Sequence, residues 1–248
     1  MTLSIPRIWG LGLLIYTSVG INSYSYGSDD VGFYLNIYTE ELPPYNFLDS
    51  ENNVGGFSTE ILRHILDQSG VAYKIELFPW QRAYQMAIDG SNACVYSTTV
   101  TDERRPLFKW VTPLVKDNWV LLSQKNRGLK ITSLEDAKAY KIGGYRESAR
   151  AIFMQKLGFD LDLASNDIAN ARKLNAGHID LLISTERGAR WVAKMAGVSG
   201  LETAYVIKPV ELGLACNKNV PDTIINMMNS KLKDAWVTGY VDSIVSKY

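Results

Sequence analysis

The sequence predicts an α/β protein of two lobes, each a mixed sheet flanked by helices, with a ligand cleft between them. Three observations carry that expectation. Strand-like and helix-like patterns alternate as β-α-β-α-β from Gly32 to Tyr96. A second alternating set fills the middle of the chain, entered by a crossing near Val115 to Asn118 and left by another near Lys208 to Glu211. A polar loop follows a strand in each set, at Ser97 and at Gly143, and both would face the cleft.

Gly32 to Thr39 alternates loosely and reads as the first strand. Pro43-Pro44 stiffens the loop after it and presents Tyr45 and Phe47, either as core packing or as part of an aromatic wall. Glu40 and Glu41 read as solvated loop, with contact to a cationic group as the alternative. Phe57, Ile61, Leu62, Ile65 and Leu66 recur at helical spacing, and Ser69-Gly70 ends that helix. Val71 to Phe78 alternates as a strand. Pro79 opens the next helix, which Asp89-Gly90 closes, and Trp80 stands at the corner facing the ligand side. Trp80 is read as a ligand contact and Arg82 as structural. Ala93 to Tyr96 is a buried strand.

Pro113 and the polar Lys116-Asp117-Asn118 are expected to break the apolar run from Phe108 to Leu122. Ser133 to Asp136 resembles a capping-box helix start. Lys141-Ile142 is a short strand followed by a Gly143-Gly144 loop, which could present N–H groups to an anion at the helix over 149–157. It is no P-loop, because the Gly-Lys-Ser/Thr ending is missing. Residues 167–176 are helical, 179–183 a strand and 187–195 a helix. Residues 211–216 form a return strand, and 221–236 and 241–248 the closing helices.

The chain has 248 residues, with 26 basic and 26 acidic side chains, so no global field points to nucleic acid or an anionic membrane. Arg7 and the apolar stretch from Ile8 to Val19 read as a secretory signal over residues 1–27, too short for a comfortable membrane span. Small residues at Ser23, Ser25 and Gly27 suit cleavage, and no cysteine lies there to take a lipid. The mature chain would begin near Ser28, outside the cytoplasm. Cys94 and Cys216 are read as free buried thiols, with a bridge as the alternative. His64 and His178 stand apart, and no metal, cofactor or Cys-His nucleophile is expected.

The chemistry concentrates in Ser97-Thr-Thr-Val-Thr-Asp-Glu-Arg104, read as the loop leaving the 93–96 strand. Four hydroxyl side chains precede a guanidinium, which can grip a carboxylate through two parallel charge-assisted hydrogen bonds. The competing reading pairs Arg104 with Asp102 or Glu103 on a solvated turn. Two polar loops converging on one cleft favour the clamp.

The chain resembles the extracytoplasmic solute-binding proteins for polar amino acids, the binding components of ABC importers. The resemblance rests on Pro43-Pro44-Tyr45, Gly56-Phe57 with Glu60-Ile61, Asp89-Gly90, Thr101-Asp-Glu-Arg104, Trp110 to Leu114, Gly143 with Ser148, Gly177-x-Ile-Asp180 and Gly239-Tyr-x-x-x-Ile244-x-x-Lys-Tyr248. The Pro79-Trp80-x-Arg82 corner is similar to a divergent branch of that family.

The resemblance implies a type II periplasmic-binding-protein fold that closes about a hinge. Residues 28–116 with 211–248 would form lobe 1, and 117–210 lobe 2. By position Arg104 would hold the ligand α-carboxylate, with Ser97 and Thr99 beside it and Trp80 against its side chain. Ser148, or its neighbour Ala149, would supply the contact from the second lobe. The family's ammonium-binding Asp is replaced by Thr185, with Glu186 adjacent. The implied role is a periplasmic monomer that takes a small carboxylate or amino acid to an inner-membrane ABC permease. The alternatives are a cyclohexadienyl-dehydratase-like enzyme using Glu186 as general acid, or a sensor that presents its closed form to a receptor.

Overall fold

The computed structural model describes Met1 and residues 33–248. The segment read as a secretory signal therefore lies, beyond Met1, outside the described residues. In chain order the elements are β1 (Tyr34–Thr39), β2 (Phe47–Leu48), β3 (Val54–Gly55), α1 (Phe57–Ser69), β4 (Ala72–Leu77), α2 (Trp80–Asp89), β5 (Ala93–Thr99) and β6 (Lys109–Gln124). The chain continues through β7 (Ile142–Tyr145), α3 (Ala149–Lys156), β8 (Leu161–Ala164), α4 (Asp167–Asn175), β9 (Leu181–Thr185) and α5 (Glu186–Ala196). It ends with β10 (Leu201–Cys216), α6 (Asp222–Val237) and α7 (Tyr240–Val245).

Eight strands form one sheet in the order β4-β1-β5-β10-β6-β9-β7-β8, and β2 and β3 pair separately. The two ends of the sheet are parallel: β1 lies between β4 and β5, and β7 between β8 and β9. The middle is antiparallel, because β10 runs against both β5 and β6, and β6 against β9. Each of β6 and β10 is 16 residues long, about 50 Å at the rise of an extended chain. That length lets one strand pair serve two lobes. Leu212 to Cys216 of β10 pairs with β5, whereas Trp119 to Leu122 of β6 pairs with β9.

Each lobe buries its own core. In the first, α1 turns Phe57, Ile61, Leu62, Ile65 and Leu66 onto Leu35, Ile37, Tyr96 and Leu114, and α6 adds Met228 and Leu232. In the second, Leu121, Ile142, Met154 and Ile183 form a cluster on one face of the sheet. Val120, Leu174, Leu182 and Val192 form another. Gly56 enters α1 at φ 101°, and a Cβ there would stand 2.4 Å from the Tyr45 carbonyl oxygen, so only glycine fits.

Several sequence expectations are corrected. Residues 109–124 form one strand, because Lys116 to Asn118 pair with Glu211 to Pro209 of β10 and Pro113 is taken up in a register shift opposite Gly213. The return strand begins at Leu201 rather than Glu211 for the same reason. Ser97 to Thr99 belong to β5 and not to a loop. Gly143 and Gly144 lie inside β7. A Cβ on Gly143 would meet Ile179 at 2.4 Å and Asn170 at 3.1 Å, so that glycine serves close packing and not an anion cradle. Ser133 to Asp136 opens only a 3-10 turn, Glu135–Ala139, with the Asp136 carboxylate accepting from the Thr132 and Ser133 N–H groups. The short strands β2, β3 and β8 carried no pattern strong enough to read.

Cys94 and Cys216 are bonded to each other, which overturns the free-thiol reading. They sit directly opposite in the β5–β10 pairing and are fully buried. The bridge spans 122 residues of sequence, so reducing it releases a long loop in the unfolded chain. We expect reduction, or Cys94→Ser with Cys216→Ser, to cost about 2–5 kcal/mol. Denaturant unfolding with and without reductant checks this, and equal midpoints would contradict it.

Candidate functional site

A cleft of about 1140 Å³ opens between the lobes. Thr99 to Arg105 line it from the first lobe, and α3 and the start of α5 line it from the second. Lys116 to Trp119 of β6 and Lys208 to Glu211 of β10, the paired crossing segments, form its back. Seven cationic and five acidic side chains face it, a balance that favours an anionic group on a ligand. Of the residues singled out from the sequence, Thr99, Arg104 and Glu186 line this cleft, with Ala149 in place of its neighbour Ser148.

Arg104 does not pair with Asp102 or Glu103. Its guanidinium carbon lies 4.9 Å from the centroid of Trp80 and 5.2 Å from that of Tyr84. Glu103 turns instead to Lys156 of α3. Arg104 forms no salt bridge among the described residues, and burial lowers its pKa. A half-buried guanidinium resting on two aromatic faces, with its edge lacking an acid, is prepared for an anionic ligand. The turn that carries it is held by the Arg104 N–H on the Thr101 carbonyl at 3.1 Å. Trp80 is buried at the first position of α2 and Tyr84 follows one turn later, so both rings share one helix face. Arg82 stacks on the Phe78 ring at 4.4 Å and forms no salt bridge among the described residues.

Ser97 sits at a bulge. Gly213 pairs with Thr98 and Ala215 with Val95, so Tyr96 and Ser97 together oppose Leu214. Ser97 takes φ 54°, uncommon for a residue with a side chain, and its buried hydroxyl has no partner among the described residues. The remaining candidates hold the frame. Tyr45 is fully buried against Phe57, and its hydroxyl donates to the buried carboxylate of Asp117 in the crossing strand. It is core and not part of an exposed aromatic wall. Ser148 caps α3, accepting from the Ala151 N–H at 3.2 Å and donating to the Tyr145 carbonyl at 2.7 Å. Thr185 caps α5, accepting from the Gly188 N–H at 3.1 Å. Glu186 is exposed on the cleft and accepts from the Asn118 amide at 2.7 Å.

Three residues that the sequence reading passed over form a second polar centre. Glu40, read as solvated, is buried at the end of β1, and Tyr145 of the second lobe donates to its carboxylate at 2.7 Å. Burial pushes the Glu40 carboxyl up to about 7, against the opposing pull of Tyr145, Arg150 and Arg104. Arg150, buried in α3, is bonded to the Asp167 carboxylate and donates to the Ile183 carbonyl at 3.4 Å. Burial opposes the Arg150 charge, yet Asp167 holds its pKa up. Arg150 also lies over the Tyr145 ring at 5.9 Å. Charged residues beside a Pro-Pro loop and in a helix look like surface in a sequence. Contacts distant in sequence bury them: Asp167 and the Ile183 carbonyl for Arg150, and Tyr145 of the second lobe for Glu40.

The model of the bacterial extracellular solute-binding proteins, family 3, matches residues 35–248. The chain belongs to that family. A probable histidine-binding protein of Neisseria gonorrhoeae is 24% identical over 218 residues, covering 84% of this chain and 80% of that protein. The L-cystine-binding protein TcyJ of Escherichia coli (strain K12) is 21% identical over 213 residues, covering 83% and 78%. A histidine kinase sensor domain with similarity to periplasmic binding proteins superposes with a TM-score of 0.80 at 17% identity, covering 88% of this chain and 97% of that one. The fold is therefore the type II periplasmic-binding-protein fold, two α/β lobes joined by paired strands. The relatives are binding proteins, and a solute-binding role accords with a cleft that holds a free guanidinium.

The solute-binding fold places Glu40 where its proton bears on stability. Its carboxyl rises from about 4.5 to about 7 on folding, so the folded state holds a proton that the unfolded chain has released. The stability from this group is fully present below about pH 4.5 and is lost as pH rises through about 7, a change on the order of 3 kcal/mol. Glu40→Gln, which keeps an acceptor for Tyr145, should flatten the decline. Urea midpoints from pH 4.5 to 7.5 measure it, and parallel curves for the two proteins would refute the assignment.

Proposed function

We propose that the protein binds a small carboxylate-bearing solute between its lobes and delivers it to an ABC permease in the inner membrane. The observation that carries this reading is Arg104, half-buried on Trp80 and Tyr84 at the edge of the cleft with no salt bridge among the described residues. The solute carboxylate would take the free edge of the guanidinium, with Thr99 and Ser97 beside it. The start of α3 at Ser148 and the Thr185-Glu186 corner would meet it from the second lobe. The names of the relatives support an amino acid or a close analogue as solute.

Lobe 1 is residues 28–116 with 211–248, and lobe 2 is 117–210. They would close by hinge motion about the β6–β10 pairing of Asp117 with Val210 and Asn118 with Pro209. A buried disulfide supports an oxidising compartment, in keeping with a periplasmic address reached through a cleaved signal. The protein acts as a monomer and does no chemistry on the solute. A second reading, a dehydratase-like enzyme, draws on Glu40, since a buried carboxyl pushed up to about 7 can donate a proton at neutral pH. Turnover of prephenate or arogenate would establish it, and recovery of unchanged ligand would dismiss it.

The clamp is tested by titrating ligand-stripped protein with small carboxylates in a calorimeter. Arg104→Ala removes a charge-assisted pair, so binding should weaken by about 10- to 100-fold or more while the fold persists. Unchanged affinity in that variant would overturn the site.

A further inference from the structure

Tyr145 occupies a position that a solute would want. It belongs to β7 in the second lobe, yet its ring packs against the aromatic cluster of the first lobe that contains Tyr38, Trp80 and Phe108. Its hydroxyl makes the only side-chain hydrogen bond to the Glu40 carboxylate among the described residues. The ring is half-buried and stands at the end of its strand, just before the Arg146-Glu147 turn where Glu147 takes φ 60°. It can therefore leave without breaking the sheet.

We propose that Tyr145 is a built-in stand-in for the solute. The phenol fills the side-chain half of the site. The natural solute carries, beyond its carboxylate, a flat ring with an O–H or N–H that displaces Tyr145 from this cluster and from Glu40. This rests on the carboxylate clamp at Arg104 proposed above. The ring requirement follows from the cluster of Tyr38, Trp80 and Phe108, and the donor requirement from Glu40, which an aliphatic solute would leave without a partner. The solute thus competes with a tethered rival. Apparent affinity is reduced by the fraction of molecules in which Tyr145 is seated.

Three measurements test this. Wild-type protein should bind L-tyrosine or L-tryptophan at least tenfold more tightly than L-leucine or L-arginine, and the reverse preference would overturn the proposal. Tyr145→Phe keeps the ring and frees the Glu40 acceptor, so L-tyrosine should bind roughly 3- to 10-fold more tightly. Unchanged or weaker binding means that Tyr145 is a contact and not a rival. Tyr145→Ala should bind 4-methylphenol at least tenfold more tightly than wild type, and equal binding would overturn the stand-in. If 4-methylphenol binds the alanine variant while no amino acid distinguishes wild type from Arg104→Ala, the stand-in survives and the clamp fails. The phenylalanine variant, which changes one atom, keeps the proposal open to refutation if Tyr145→Ala does not fold.

Discussion

The pairing of β6 with β10 is the constraint on which everything else hangs. Two 16-residue antiparallel strands thread both lobes, and every other element reaches its position by packing on one end or the other of that ribbon. The ribbon is continuous through three register shifts, between Thr203 and Tyr205, Val206 and Lys208, and Leu212 and Leu214. It is weakest to twisting at its middle, where Asp117 and Asn118 face Val210 and Pro209 and neither strand has a second strand neighbour among the described residues. A two-stranded ribbon flexes more readily than a full sheet. The architecture therefore places its most deformable point between two rigid cores, directly behind the cleft.

The disulfide and Tyr45 reinforce this division. Cys94–Cys216 ties the far end of β10 to β5 inside the first lobe, away from the middle of the ribbon. Tyr45 reaches from the loop after β1 to the Asp117 carboxylate at the crossing itself. A buried carboxylate deprived of its donor is costly, so the first lobe controls the local geometry of the strand about which the second would swing. Tyr45 thus acts on the site from beneath, through the strand, and not by touching a ligand.

Much of this was legible in the sequence, for identifiable reasons. α1 and β4 show clean 3.6 and 2.0 periods because each buries one face, and Pro79 with Gly90 marks both ends of α2. The hydroxyl run ending in Arg104 drew attention in the sequence, but its aromatic setting on Trp80 and Tyr84 did not, because that contact joins residues far apart in the chain. The long strands were not legible as wholes. Half of each lies in one lobe and half in the other, so the buried face changes along the strand and Lys116 to Asn118 resembles a break. The bond between Cys94 and Cys216 depends on β10 returning beside β5, a contact across 122 residues that no local pattern encodes. Glu40, Tyr145 and Arg150 stayed hidden for the same reason: each looks exposed within its own segment and is buried by another.

Thr185 sharpens the argument about what such a site recognises. A carboxylate there would hold a cation against α5, yet the hydroxyl is committed to capping that helix at Gly188. The acid nearest this centre is Glu40 of the opposite lobe, which feels Arg150 and Arg104 but forms no salt bridge with either among the described residues; burial outweighs their pull and raises its carboxyl to about 7. In the proposed site Glu40 would be read through its hydrogen bond more than by charge. Arg104 would supply the charge selection there and Glu40 the hydrogen-bond selection; both belong to the first lobe, and Tyr145 is what the second lobe brings to Glu40.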